Sequence, residues 1–463
     1  MTKRCICVFL CIIYSLSILS CSSSKKKEDI LNNAQEYKNN LTADSAYDYQ
    51  NEVGQWLTPE TEYKYDESID TNVGITDLFG GSFIPQNDRM YFQVSKEVSN
   101  SSGYSTGAML WAYISTSTGE KHNICPDPLC THLDGSDCKY LDLNDLMFLP
   151  NSDSIAYTYR QEFIDGKSLA VIYELNLNEN TITRKYIPSD VSDNVDGVSA
   201  NLFFISENKL YFSECFQCRE TNDDGEIDIT FKYRLVALDL TNSTLEVLNN
   251  DFNSSNCVYA ADDKLFFVDQ EYHRFYCTDT DFSNERDILT FGDEYQVYDI
   301  FYDANTNEFY LLISLTNMHS QVTVDMDTEN VHCNIYKIAS DLVCSKIPMP
   351  SELITDMQLT NEYIYYTIFD PVQYGVTRNG SPTVDETGNK LYRVKRSDTS
   401  SEELVFDGCN EVIFKDDYFV SGDYLYITYF KPKTRDGITY FYRIGSKARI
   451  NMSENTIKWI NLD

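Results

Sequence analysis

The chain has 463 residues, room for one large all-β body or for two or three ordinary domains. Hydrophobic residues make up 42%, enough for a sizeable core, and 35 Tyr with 25 Phe favour half-buried pleated surfaces where rings pack across strands. A formal charge of −35 repels phosphate backbones and anionic headgroups, which argues against nucleic acid and anionic lipid as partner surfaces of the folded body.

The first segment reads as an address. Lys3 and Arg4 precede a largely apolar run from Ile6 to Leu19, broken by Ser15 and Ser17, and Ile18-Leu19-Ser20-Cys21 ends it. The run is short for a spanning helix, which needs roughly 20 apolar residues. An uncleaved anchor is the alternative reading. The charge, apolar length and Ser-Cys junction resemble a bacterial lipoprotein signal with its lipobox over residues 1–21. That resemblance implies acylation of Cys21 and a lipid-anchored, extracytoplasmic place in the bacterial cell envelope. Lys25, Lys26 and Lys27 would add a second membrane signal beside the acyl chains. Residues 22–72 read as a flexible polar tether, rich in Ser, Lys, Asn, Asp and Glu. Residues 73–463 read as one folded domain.

Within that domain one pattern recurs: a short apolar strand, a polar turn, a Leu-Tyr-Phe-type strand, a loop and a hairpin. The second strand appears at Met90-Tyr91-Phe92, Ile155-Ala156-Tyr157, Leu210-Tyr211-Phe212, Leu265-Phe266-Phe267, Phe309-Tyr310-Leu311, Ile364-Tyr365-Tyr366 and Leu425-Tyr426-Ile427. These lie roughly 44 to 65 residues apart and give four strands per repeat, which predicts a β-propeller of seven blades, with six or eight open. One four-stranded sheet cannot bury both faces alone, whereas a ring of such sheets can. A large sandwich or two smaller β domains is the competing architecture, and the unbroken repetition counts against it. The repeats are similar to the TolB-like and low-density-lipoprotein-receptor-like propellers, and look like uncharacterised propeller lipoproteins of anaerobic bacteria.

In a propeller with its first strand innermost, the connections between second and third strands share one face. They read as long loops at Ser95 to Gly107, Cys215 to Phe231, Leu315 to Val331, Asp370 to Lys390 and Lys431 to Ile438. Long loops on one face of a rigid scaffold are where binding usually sits, although tolerated surface insertions look alike. Arg219, Tyr374, Arg378, Lys433 and Arg435 are the ligand-face candidates, because cationic and aromatic groups in acidic surroundings anchor ligands.

Cys125, Cys130, His132 and Cys138 form a Cys-x4-Cys-x-His-x5-Cys cluster. Three thiolates and one imidazole can close a tetrahedral structural zinc site. In an exported chain the same thiols can instead form disulfides, and a free reactive thiol is the third outcome. Cys125, Pro128, Cys130, His132 and Cys138 also resemble a first-blade segment of the propeller lipoproteins, a match that implies placement and no activity. Cys333 and Cys344 flank a hairpin, and a turn near Ile338-Ala339 would set them opposite each other for a disulfide. Cys215 and Cys218 read as a local disulfide or as two buried thiols.

No metalloprotease, nucleophile-elbow or phosphate-loop motif is present in the sequence, so no catalytic residue is assigned. The chain is therefore expected to be a membrane-anchored binding or scaffold propeller recognising a polymer (a glycan included), peptide or protein through its long-loop face. The alternative is a carbohydrate-active enzyme with carboxylates in the central funnel; a funnel walled by Tyr and Phe would argue against it.

Overall fold

A computed structural model describes residues 57–59, 74–79, 83–87, 89–99, 105–125, 140, 148–152, 154–189, 191–221, 227–252, 256–315, 333–351, 354–368, 371–376, 382–386, 390–408, 418–435 and 438–460. The chain divides into two compact units, Met1–Leu57 and Thr58–Asp463. The second is all-β and is a β-propeller; among its described residues there is no helix.

Two short strands, β1 (Thr58–Pro59) and β2 (Ile75–Asp77), come first. Blade 1 follows with β3 (Phe83–Gln86), β4 (Arg89–Ser99), β5 (Ser105–Ser115) and β6 (Lys121–Asn123). Blade 2 is β7 (Leu149–Pro150), β8 (Ile155–Ile164), β9 (Lys167–Asn176) and β10 (Thr181–Tyr186), and blade 3 is β11 (Val195–Ser206), β12 (Lys209–Thr221), β13 (Ile227–Asp239) and β14 (Leu245–Asn249). Blade 4 is β15 (Asn256–Ala261), β16 (Lys264–Asp269), β17 (Arg274–Asp279) and β18 (Arg286–Thr290), and blade 5 is β19 (Tyr295–Asp303), β20 (Glu308–Leu315), β21 (Asn334–Ile338) and β22 (Cys344–Ile347). Blade 6 has β23 (Ile354–Leu359) and β24 (Tyr363–Ile368), an inserted hairpin β25 (Pro371–Val376) and β26 (Pro382–Glu386), then β27 (Lys390–Lys395) and β28 (Asp398–Asp407). Blade 7 is β29 (Tyr418–Ser421), β30 (Tyr424–Arg435), β31 (Ile438–Asn451) and β32 (Thr456–Ile460). Each blade is an antiparallel four-strand ladder in chain order.

The burial pattern explains why these strands read as unbroken apolar runs. Second strands are buried on both faces, as in β16, where Leu265 to Asp269 are all buried and only Lys264 is half-buried, because each blade lies between two neighbours. Outer strands such as β14 keep exposed positions. Tight turns between first and second strands need positive φ at both central positions, and Glu207-Asn208 and Asp262-Asp263 adopt it.

Apolar clusters join successive blades. Trp111 stacks on Phe148 at 4.6 Å between blades 1 and 2. Tyr157, Ile172 and Phe212 link blades 2 and 3; Phe204, Leu235 and Phe267 link 3 and 4; Phe266, Phe275 and Phe309 link 4 and 5; Tyr310, Met357 and Tyr366 link 5 and 6. Blades 6 and 7 meet through Gln358, whose Nε2 donates to Val420 O at 2.8 Å while Val420 N donates to its Oε1 at 2.6 Å. Phe83 and Phe92 of blade 1 pack with Tyr426 and Ile460 of blade 7, so the last blade meets the first. Each buried Phe or Leu contributes about 1.5–3 kcal/mol.

Three features differ from the sequence reading. The connections read as long loops in blades 1, 3 and 7 are largely continuations of the ladder: β4–β5 pairs out to Ser99–Ser105, β12–β13 to Thr221–Ile227 and β30–β31 to Arg435–Ile438. Extended pairing satisfies their backbone groups, which a loop would leave to solvent. Second, β1, inside the stretch read as tether, pairs in parallel with β32 through Thr58–Thr456 and Pro59–Ile457. Third, β2 adds a strand to the inner edge of blade 5 by pairing antiparallel with Phe301–Asp303.

Candidate binding cavity

The strand β2 positions the site. Gly74 turns the chain with φ +80°, which a side chain would strain, and its carbonyl accepts a hydrogen bond from Ala304 N at 2.8 Å. Leu78 N donates to Ile300 O at 2.9 Å, and Asp77 Oδ1 accepts from Phe79 N at 3.0 Å. Ile75 packs against the core between blades 5 and 6, and Leu78 and Phe79 against that between blades 4 and 5. The segment is thus an apolar strap laid along the innermost strand.

Beside the strap opens a cavity of about 510 Å3, on the face of the tight turns between first and second strands. Gln86, Asn87, Asn151 and Asp423 stand on or beside those turns, Phe203, Tyr259, Phe419 and Tyr424 form its aromatic wall, and Ile75–Leu78 closes one side. Two arginines reach it. Arg449 is buried at 2% exposure with its guanidinium carbon 4.3 Å from the Tyr424 ring centroid. Arg89 lies 4.5 Å over Tyr113 and its Nη1 donates to Tyr91 Oη at 3.4 Å. Stacking on a tyrosine face holds a guanidinium in place at the cavity wall. Burial, and then the charge on Tyr302 when that ring ionises, push the Tyr259 phenol up to about 12, so it stays neutral at ordinary pH; the two rings lie 4.2 Å apart. The cavity can therefore hold a planar or ring-bearing ligand against aromatic faces and meet a carboxylate or hydroxyl with arginine, amide and phenol groups.

The residues singled out from sequence lie elsewhere. Arg219 is on the opposite face, more than half exposed and ion-paired with Asp196. Tyr374 falls in β25 and Lys433 and Arg435 in β30; pairing of Gly375 with Ile438 brings those two hairpins together, since Ile438 also pairs with Arg435. Arg378, Cys21, Cys130, His132 and Cys138 lie outside the described residues. Cys125 occupies a bend after β6 at the edge of the core between blades 1 and 2.

The two proposed disulfides are not formed. Cys215 and Cys218 are both free. They are three residues apart on one regular strand, so their side chains point to opposite faces. Cys333 and Cys344 are not bridged to each other either. The turn lies at Ala339–Val343 rather than at Ile338-Ala339, which sets Ile338 opposite Cys344. Cys333 instead lies 3.4 Å from Ser314 Oγ in the core between blades 5 and 6.

Sequence reasoning missed the cavity because its arginines hide in apolar strands. The alternation Lys447-Ala448-Arg449-Ile450 was the available signal, since it puts cations where a neighbouring blade packs.

No family model matches the sequence, and no curated protein matches it. Among solved structures, the chain is similar to an oligogalacturonate lyase from Vibrio parahaemolyticus at 10% identity and TM-score 0.44, covering 79% of this chain and 96% of that one. The β-propeller domain of the Trilobed protease from Pyrococcus furiosus gives 10% identity and TM-score 0.43, with 82% and 96% covered. A nidogen/laminin complex gives 10% identity and TM-score 0.32, with 66% and 92% covered.

Proposed function

We propose that this chain is a lipid-anchored, extracytoplasmic binding propeller that holds a glycan or peptide segment in the cavity beside its strap. The lipobox-like end at Cys21 supports the anchoring. The observation that carries the binding role is the aromatic wall of Phe203, Tyr259, Phe419 and Tyr424, with the buried Arg449 stacked on Tyr424 behind it. Such walls gain most from flat ligand faces, and the arginine charges select an acidic group. A carboxylate-based glycosidase is the weaker reading, because rings wall this cavity and its carboxylates are placed for other work: Asp77 caps the strap and Asp423 stands exposed on a turn. Among the described residues no three His, Cys, Asp or Glu side chains gather as a metal site. The Cys125–Cys138 cluster is retained as a proposed structural zinc, disulfide or reactive-thiol site.

The test is a thermal-shift and calorimetric screen of acidic oligosaccharides and of peptides with free C-terminal carboxylates. At least one class should bind, and Tyr424→Ala should weaken it about tenfold or more, as loss of one aromatic contact of about 1.5 kcal/mol implies. Binding indifferent to Tyr424→Ala would remove the cavity from the account.

A further inference from the structure

The long hairpin of blade 3 leaves an edge uncovered. Strand β13 pairs with β12 along its whole length, from Ile227 to Asp239. Its other neighbour, β14, covers only Leu235 to Leu238. Among the described residues nothing pairs with the outer edge from Ile227 to Lys232. The backbone there has a known orientation. Phe252 N donates to Tyr233 O at 3.1 Å, so Tyr233 directs its carbonyl away from β12. In an antiparallel strand alternate residues share that direction, which turns the N–H and C=O groups of Ile227, Ile229 and Phe231 outward too.

The same three residues carry exposed apolar side chains, at 63%, 54% and 44%. They lie on one face of the sheet that blade 2 and blade 3 share. That sheet is continuous because β9 pairs in parallel with β11 through Ser168–Gly197 and Leu169–Val198. Following the register, Phe163, Ser168, Gly197, Gln217 and Phe231 form one row on that face, and Phe163 at its far end is 80% exposed. The opposite face is packed by Leu169, Val195, Val198 and Cys218, so the hairpin is a supported plate.

We propose that two copies of this chain associate edge to edge through β13, antiparallel about a two-fold axis at Ile229. The register is self-complementary. Ile229 faces Ile229 of the second copy, and Ile227 faces its Phe231. These are the residues with outward backbone groups, so each pair exchanges two N–H···O bonds. Apolar side chains meet apolar ones on the exposed face. A membrane is a poor occupant of this edge, because the connection beside Ile227 reads Asn222-Asp-Asp-Gly-Glu226. An isologous contact closes on itself and gives a dimer rather than a fibre. It joins two molecules of charge −35, so their long-range repulsion opposes assembly and added salt should favour it.

The experiment is sedimentation velocity across a concentration series, at low and high salt, on the chain from residue 22 onward. The expected result is a monomer–dimer equilibrium that shifts toward dimer with salt. Ile229→Lys would place two ammonium groups opposite each other and should weaken association by about tenfold or more, with an unchanged melting temperature. A second variant, Ile229→Cys, should cross-link two copies under mild oxidation, since paired strand residues lie within disulfide reach. A monomer at every concentration and salt would overturn the proposal, including one that takes up an added extended peptide at this edge. So would a dimer that Ile229→Lys leaves intact, or a dimer in which Ile229→Cys does not cross-link.

Discussion

Arg396 shows how single residues tie blades together. Its Nη2 donates to Asp303 Oδ2 at 2.6 Å and to Tyr310 Oη at 2.9 Å, while its guanidinium lies 4.8 Å over the Tyr310 ring. Arg396 belongs to blade 6 and the other two residues to blade 5, and the Asp303 side chain is 1% exposed. Burial alone would raise the Asp303 carboxyl. Hydrogen bonds from Arg396, the Asn305 backbone and Thr306 outweigh it and hold the group below the usual carboxylate value. A depressed folded pKa contributes stability that is complete above the ordinary carboxylate pKa of about 3.9 and is lost as pH falls through the folded value. Arg396→Met leaves that charge buried without its partner and should cost about 3–5 kcal/mol at neutral pH, read from the urea midpoint. The penalty should shrink as pH falls, starting above the ordinary carboxylate pKa of about 3.9, because the buried Asp303 without its partner takes up a proton there in the variant. An unchanged midpoint at neutral pH would contradict this role. Glu214 and Arg234 form a similar pair in blade 3, with Tyr186 of blade 2 donating to Glu214 at 2.8 Å.

At the scale of elements, one crossing merges two blades. A Cβ at Gly197 would come 3.0 Å from the backbone oxygen of Ser168, tighter than the fixed strand β9 can easily yield. Gly197→Val should therefore part β9 from β11 and cost about 1–3 kcal/mol. Hydrogen exchange should quicken at residues 168–169 and 197–198 while the strands of blade 5 keep their protection. Uniform behaviour of both regions would mean that the crossing is incidental. This crossing was invisible in the sequence, since Gly197 looks like any loop glycine until β9 lies against it. The second strands were legible, because a strand packed between two neighbours must be apolar on both sides, as Leu265-Phe266-Phe267 is. The extended hairpins were read as loops because Cys215 to Thr221 mixes polar and apolar residues; pairing with β13 runs along the whole stretch, while burial holds it only around Phe216 and Cys218. The proposed disulfides failed for a local reason too. A shift of the turn from Ile338-Ala339 to Ala339–Val343 moved Cys344 out of register with Cys333.

For the whole molecule, the ring of blades makes two unlike faces. One carries the extended hairpins, with Arg219 and the β25–β26 and β30–β31 tips, and is where binding was expected. The other carries short turns around a strap-walled aromatic cavity. The sequence could rank the first face by loop length but had no means of showing the second, whose residues come from strands spread between Gly74 and Arg449. The account rests on the second face. The most direct test is hydrogen exchange with and without the best ligand from the oligosaccharide and peptide screen. Protection is predicted at the strap 74–79 and at the turns 84–87 and 421–424, with the hairpin tips unchanged. Protection confined to residues 219–227 and 371–386, with the strap and turns unaffected, would return binding to the long-hairpin face and contradict the account.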